Sequence, residues 1–560
     1  MKLLALWVLL AFLALVGFAG AMEERAPAIV FEWCEYAGRD APAATALPVG
    51  HYRNPILAGF YPDPSLCRVG RDFYLVNSTF AYFPGIPIFH SRDLVHWTQL
   101  GHVIDRPSQL PYAGLEVSHG IFAPAISHHR GTFYVICTMV DGGGNFLVTA
   151  TNPAGPWSDP VWLGFEGIDP SLFFDDDGRA WIVNNGEPAG PSRYDGHRDI
   201  WIQEFDPTAK KMIGPRRVLV DRGTVPEKDP VWIEGPHLFK RGEWYYLMCA
   251  EGGTAEGHTE VIFRGRDPTG PFTPWEQNPI LTQRDLPPGR ANAVTSTGHA
   301  DLVQLADGSW WSVFLGCRPY DTASLLYATG RETFLLPVHW TDDAWPVILS
   351  PGQAVPLAAA APALPASPAP SPFTGNFTDR DDFTAPTLAL TWVGLRTPPA
   401  EFASLTSQPG ALTLTARADD LRGRGHPAFL ARRVQHADFI FAASMHLPAT
   451  PGTAAGIAAF QNERFHFFLG ARRVGESAEL FLERAENSAA TVIARAVVPP
   501  TDSLSLRIEC HNGRCNFSYA TDATTWHTLA ADLDTSLLTT RVAGGFVGAM
   551  VGPHARQEAP

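Results

Sequence analysis

Lysine is scarce and no basic tract occurs anywhere in the 560 residues, whose formal net charge is −15. A nucleic-acid phosphate backbone would find no cationic surface, so that class of partner is not expected. The seven cysteines, Cys34, Cys67, Cys137, Cys249, Cys317, Cys510 and Cys515, are scattered without any C-x-x-C spacing. That points away from a zinc site and from a disulfide-dense scaffold. Helix-period segments are nearly absent. Only one long apolar run occurs, Leu3 to Phe18, and it is short for a membrane span. Lys2 precedes it and Ala19-Gly20-Ala21 follows it. This is the pattern of a cleaved signal peptide over residues 1–21, which predicts a secreted or periplasmic protein with no membrane attachment after cleavage.

What the chain has in quantity is glycine (50), proline (49) and aromatics (11%). Turns and aromatic strands suit that balance better than long helices. The length exceeds one compact core, so two or more domains are expected. We divide the mature chain into a short extension at 22–50, a first domain at 51–351, a linker at 352–378 and a last domain at 379–553. The linker contains the Ala/Pro/Ser-rich run "AVPLAAAAPALPASPAPSP". The last domain reads as roughly ten short strands with period-2 alternation, such as "ALTLTARA" and "SLSLRIEC", which argues a β-sandwich. Within it, Cys510 and Cys515 flank His511-Asn512-Gly513-Arg514. Asn-Gly predicts a two-residue hairpin that sets the two cysteines opposite each other, close enough to bridge.

The first domain carries an internal repeat. Five segments open on a similar step and run on into paired aromatic strands: Asp63-Pro64-Ser65-Leu66, Ala123-Pro124-Ala125-Ile126, Asp169-Pro170-Ser171-Leu172, Glu234-Gly235-Pro236-His237-Leu238 and His299-Ala300-Asp301-Leu302. Their spacing predicts an all-β fold, a five-bladed β-propeller followed by a β-sandwich. Equivalent positions of the blades lie on a ring around the axis, so Asp63, Asp169, Glu234 and His299 should converge at one end of the channel. Glu234 stands one place out of register with the other openings. Carboxylates crowded at low dielectric push their pKa values apart, so that one stays ionised while another keeps its proton. Glycoside hydrolysis needs that division of labour.

With the motifs "NPILAGFYPDPSLCRVGRDFYLVNSTF", "GIDPSLFFDDDG", "WIEGPHLFKRGEWYYL", "GHADLVQ" and "GRETFLLPVHW" in this order, the chain resembles glycoside hydrolase family 43. Its C-terminal part resembles the concanavalin-like sandwich of the β-xylosidase and α-L-arabinofuranosidase branches. The resemblance implies an inverting, exo-acting enzyme that releases terminal arabinofuranose or xylose from arabinoxylan or xylooligosaccharides. It makes Asp63 the general base, Glu234 the general acid and Asp169 the group that raises the pKa of Glu234 and orients it. It places Phe80, Phe122, Ala123, Arg318 and His299 around the sugar; Phe122 stands where many relatives carry Trp. It requires no cofactor, although it allows a structural calcium ion near His299.

Several readings stay open at this level. His299 is either an ion ligand or a hydrogen-bonded core histidine. Phe80, Tyr82 and Phe83 are either pocket wall or core. Asp175-Asp176-Asp177-Gly178 lacks EF-hand alternation and reads as a turn. Asn77-Ser78-Thr79 is a glycosylation sequon on a strand that should be buried. Two other functions compete: a non-catalytic sugar-binding propeller and a fructan-type hydrolase on a similar scaffold.

Overall fold

The computed structural model describes residues 26–365, 372–487, 489–499, 501–522 and 525–558. The expected signal peptide at 1–21 lies outside the described residues. Five antiparallel sheets of four or five strands form the first domain, each built from strands close together in sequence. The innermost strands are Ser65–Val69, Ala125–His129, Ile168–Phe174, Glu234–Arg241 and Thr295–Gln304. Each neighbours the next, and the fifth returns to the first, so the ring is closed. The blades stack face to face, which buries both sides of their second strands. Thr132–Val140 and Trp310–Cys317 are accordingly near-continuous apolar runs. Closure is reinforced outside the blades, where His51–Arg53 pairs with Ala358–Ala360 and Leu57 bridges Thr333.

The second domain is two eight-stranded sheets packed face to face. Its strands alternate as period-2 patterning requires. In Ser503–His511, Leu504, Leu506, Ile508 and Cys510 point inward. Each fully buried side chain of that size contributes roughly 1.5–3 kcal/mol. Asn512 and Gly513 both adopt positive φ, 48° and 71°, as the tight hairpin demands. Cys510 faces Cys515 with a Cα separation of 4.1 Å, and the two are bridged. The other five cysteines are free.

The domain boundaries drawn from sequence need correction in three places. Residues 22–50 are not a mere extension: Ala28–Gly38 is a central strand of the sandwich, paired with Phe439–His446 on one side and Leu412–Thr415 on the other. The segment 352–378 is not a free linker, because Ala358–Ala360 closes the propeller and Phe373 is buried in the propeller core. The sandwich continues to the strand Met550–Gln557. The domains also share a sheet, since Tyr82–Phe83 of the first blade pairs with Val393–Leu395 of the sandwich.

Candidate active site

Four of the five blades open on a residue, or a neighbour, held in the left-handed region. Asp63, Asp169 and His299 have φ of 52°, 53° and 51°; in the fourth blade the equivalent residue is Gly235, with φ 55°. Pairing with the second strand is interrupted at these places in the third, fourth and fifth blades. Such bulges re-aim side chains, here toward the axis. The fourth blade shows why Glu234 is one place out of register. A Cβ on Gly235 would lie 2.9 Å from His299 Nε2. Glycine there leaves room for the imidazole, and the longer glutamate reaches the axis from one position earlier.

Asp63, Asp169, Glu234 and His299 line one cavity of about 340 Å³. All four are buried. Burial pushes the Asp63 carboxyl up, but Arg331, His299 and Ser78 outweigh it and hold it below its ordinary value. Arg331 Nη1 donates to Asp63 Oδ1 at 3.0 Å, and Ser78 Oγ donates to Oδ2 at 2.5 Å. Asp169 has no such cation in contact. Burial and the charge of Asp63 raise it, while it accepts a hydrogen bond from the Gly235 backbone N–H at 3.2 Å. Glu234 is pushed up to about 8, first by burial and then by the neighbouring Asp169. Burial lowers His299 to about 4, so its ring is neutral at neutral pH. One carboxylate is therefore ionised and one carboxylic acid protonated in the same pocket. That pair can take a proton from water and give one to a leaving oxygen.

The walls are apolar. Phe80 and Phe122 meet edge to face at 5.5 Å, as predicted positions of the pocket, and Ala123 lies beside them. Tyr82 and Phe83 belong to the core instead. Sequence reasoning missed a third wall residue, Phe546, which stacks on Phe80 at 6.2 Å and meets Phe122 at 5.8 Å. It comes from the sandwich loop between Ala543 and Met550, whose Phe546 N–H donates to Ser118 Oγ. Trp232 and Thr254 also line the cavity and were not foreseen.

Arg318 does not reach this cavity. Its guanidinium is bidentate on Glu332, at 2.7 and 2.8 Å, and also binds Asp40 at 3.0 Å and the Gln435 carbonyl. It ties the fifth blade to the sandwich. The arginine in the pocket is Arg331. Both flank the same end of one antiparallel pair, in which Gly316 faces Glu332. Spacing along the chain could not decide which of them turns to the axis. A signal was present: a charged residue opening the apolar strand Glu332–Trp340.

The remaining motifs resolve into structure. Asn77 is buried and its amide donates to Tyr61 O, Pro62 O and Thr333 Oγ1, so the sequon positions the Asp63 loop. Asp175–Gly178 is a turn closed by Gly178 N–H to Asp175 O.

Known proteins match this arrangement along most of the chain. The model for glycosyl hydrolases family 43 matches residues 52–346, and that for the β-xylosidase C-terminal concanavalin A-like domain matches 380–559. A xylosidase/arabinosidase of Butyrivibrio fibrisolvens is 39% identical over 508 residues, covering 90% of this chain and 95% of the relative. A non-reducing end α-L-arabinofuranosidase of Bacteroides ovatus is 37% identical, covering 90% and 91%. The crystal structure of a GH43_12 protein from the capybara gut metagenome superposes with a TM-score of 0.89 at 38% identity, covering 95% of this chain and 100% of that one. Matches of that extent, on a propeller whose axis gathers three carboxylates, leave one assignment: the chain belongs to glycosyl hydrolase family 43.

Proposed function

We propose that this glycosidase removes terminal α-L-arabinofuranose or β-D-xylose from hemicellulose, such as arabinoxylan or xylooligosaccharides, with inversion. The observation that carries this reading is the pairing, in one buried cavity, of an ionised Asp63 with a protonated Glu234. Asp63 acts as general base and takes a proton from water as the water oxygen attacks the anomeric carbon. The glycosidic C–O bond breaks, and Glu234 gives its proton to the departing oxygen. Asp63 ends protonated and Glu234 ionised; exchange with solvent restores both. Asp169 keeps the Glu234 pKa high, and its hydrogen bond to the Gly235 N–H fixes the backbone from which Glu234 extends. Phe80, Phe122 and Phe546 wall the sugar ring being removed. The activities of the two similar proteins, xylosidase/arabinosidase and α-L-arabinofuranosidase, support a pentose there.

The reaction is written without a cofactor. Calcium prefers several oxygen ligands. Beside His299, the Asp301 oxygens are already bonded to Ser65, Leu66 and Leu302, and Glu260 Oε2 accepts from the Ala300 N–H at 2.9 Å. Among the described residues the one group of three side chains able to hold a metal is His197, Asp199 and Asp221, elsewhere in the fold. The donors at His299 do not fit calcium, and no step is routed through one. Export to the periplasm or medium is part of the proposal and rests on the signal pattern of residues 1–21.

The test is a panel of nitrophenyl arabinofuranoside, xyloside and galactoside, followed by time-resolved product analysis on arabinoxylan. Turnover of a pentoside with release of free pentose supports the reading. Preference for the galactoside, or early mid-length oligosaccharides, would overturn it.

A further inference from the structure

Trp232 carries a contradiction that the chemistry of the pocket resolves. It is a bulky side chain at φ 52°, a conformation that costs energy for any residue but glycine and persists only where surroundings enforce it. It is half-buried rather than core, although its neighbour Ile233 is fully buried between blades. The enforcement is visible. The Trp232 N–H donates to Gly196 O at 2.9 Å. The Arg198 guanidinium lies 4.0 Å above the indole ring. Arg198 is itself fixed, donating to His197 O at 2.7 Å and pairing with Glu187 at 3.1 Å. The loop that carries Gly196 and Arg198 is strapped by its own bonds. His197 accepts from the Arg193 N–H at Nδ1 and so donates from Nε2 to Asp221, at 3.1 Å. Tyr194 donates to Pro230 O at 2.7 Å. All of this holds one aromatic ring at the wall of the cavity, two residues before Glu234.

We infer that Trp232 is the platform for the sugar on the departing side of the scissile bond, and that Arg198 positions it. The inference rests on the glycosidase reading above and adds to it a leaving-group subsite. Glu234 must come within hydrogen-bond reach of the glycosidic oxygen, so the departing sugar is bonded to an atom beside Glu234. Phe80, Phe122 and Phe546 belong to the first and second blades and the sandwich, next to Asp63 and Arg331. Trp232 stands in the fourth blade with Glu234, across the axis from them. The pocket thus divides into a side that holds the sugar being released and a side that meets the rest of the chain. Indole favours the apolar face of a pyranose ring. Among the described residues the cation at the ring is Arg198, already committed to Glu187 and to the indole, so an uncharged pyranosyl unit fits better than a uronic acid.

The experiment compares two donors of the same pentose: an oligosaccharide, whose leaving group is a sugar, and the glycosyl fluoride, whose leaving group makes no sugar contact. For Trp232→Ala the loss in kcat/KM on the oligosaccharide is expected to exceed the loss on the fluoride by about tenfold, the worth of one aromatic stacking contact. Trp232→Phe should recover most of it. Arg198→Ala should show a smaller split of the same sign, and Arg198→Lys, which keeps a cation over the ring, should reverse it. Equal losses on both donors, or no loss on the oligosaccharide, would overturn the inference. Failure of the pentosidase reading is separate: it appears in the wild-type rates on pentosyl donors, whereas the variant ratio is read on whichever glycosyl donor the wild type cleaves.

Discussion

On the proposed mechanism, two carboxyl groups set the pH dependence of the reaction. Glu234 must be protonated to act as acid; with its pKa pushed up to about 8, that form persists through neutral pH and is lost as pH rises through about 8. Asp63 must be ionised to act as base; held below its ordinary value, that form is lost only as pH falls below the usual aspartate range. A bell-shaped kcat/KM profile with a plateau through neutrality follows, measurable on a nitrophenyl pentoside. Glu234→Ala should remove the alkaline limb and cost about 10²–10⁴-fold on oligosaccharides, with a smaller loss on nitrophenyl glycosides, whose leaving groups need little acid. Equal losses on both classes would count against its role. Arg331→Gln removes the strongest of the groups that oppose burial at Asp63, so the acid limb should move up; an unmoved limb would mean that Arg331 does not govern the base. The carboxylates were legible in the sequence because they recur in the phase of the repeat. Arg331 was not, because the repeat says nothing about which of two arginines at one strand end turns inward. Arg318 matched the family motif, but its guanidinium is committed to Glu332 and Asp40.

Single strands and loops decide how complete the pocket is. One wall of the pocket is borrowed: Phe546 arrives on a sandwich loop and touches both Phe80 and Phe122. Phe546→Ala opens the wall without removing a proton-transfer group. We expect a raised KM for pentosides, about tenfold from lost aromatic contact, with kcat and the pH profile little changed. A collapse of kcat with unchanged KM would show that the loop orders the carboxylates instead. The propeller strands and the Asn512-Gly513 hairpin were readable from local chemistry, since alternation, aromatic runs and turn residues act within a few positions. The loop that reaches the pocket was not, because that depends on how two domains dock.

At the scale of the molecule, propeller and sandwich are interlocked. Ala28–Gly38 crosses from the N-terminus into the heart of the sandwich, and Tyr82–Phe83 extends a sandwich sheet from the first blade. Arg396, fully buried, binds Glu463 at 2.6 Å and the Leu115 carbonyl. Truncation near Pro370 would strip Ala28–Gly38 and Tyr82–Phe83 of their sandwich partners, remove Arg396 from the Leu115 carbonyl, and expose the apolar residues around Phe80. It should yield insoluble or weakly active protein, judged by soluble yield and specific activity. A fully active propeller alone would refute this. A composition shift at 352–378 was a sound signal of a domain change. It could not show that an earlier strand belongs to the later domain, because pairing across some 400 residues leaves no local trace.

The central claim, that Asp63 activates water while Glu234 protonates the leaving oxygen of a terminal pentose, is tested most directly by proton NMR of the first product formed from an oligosaccharide. The account predicts a single free pentose whose anomeric configuration is opposite to that of the bond cleaved, before mutarotation mixes the anomers. A pentose with retained configuration would require a covalent intermediate and would contradict it.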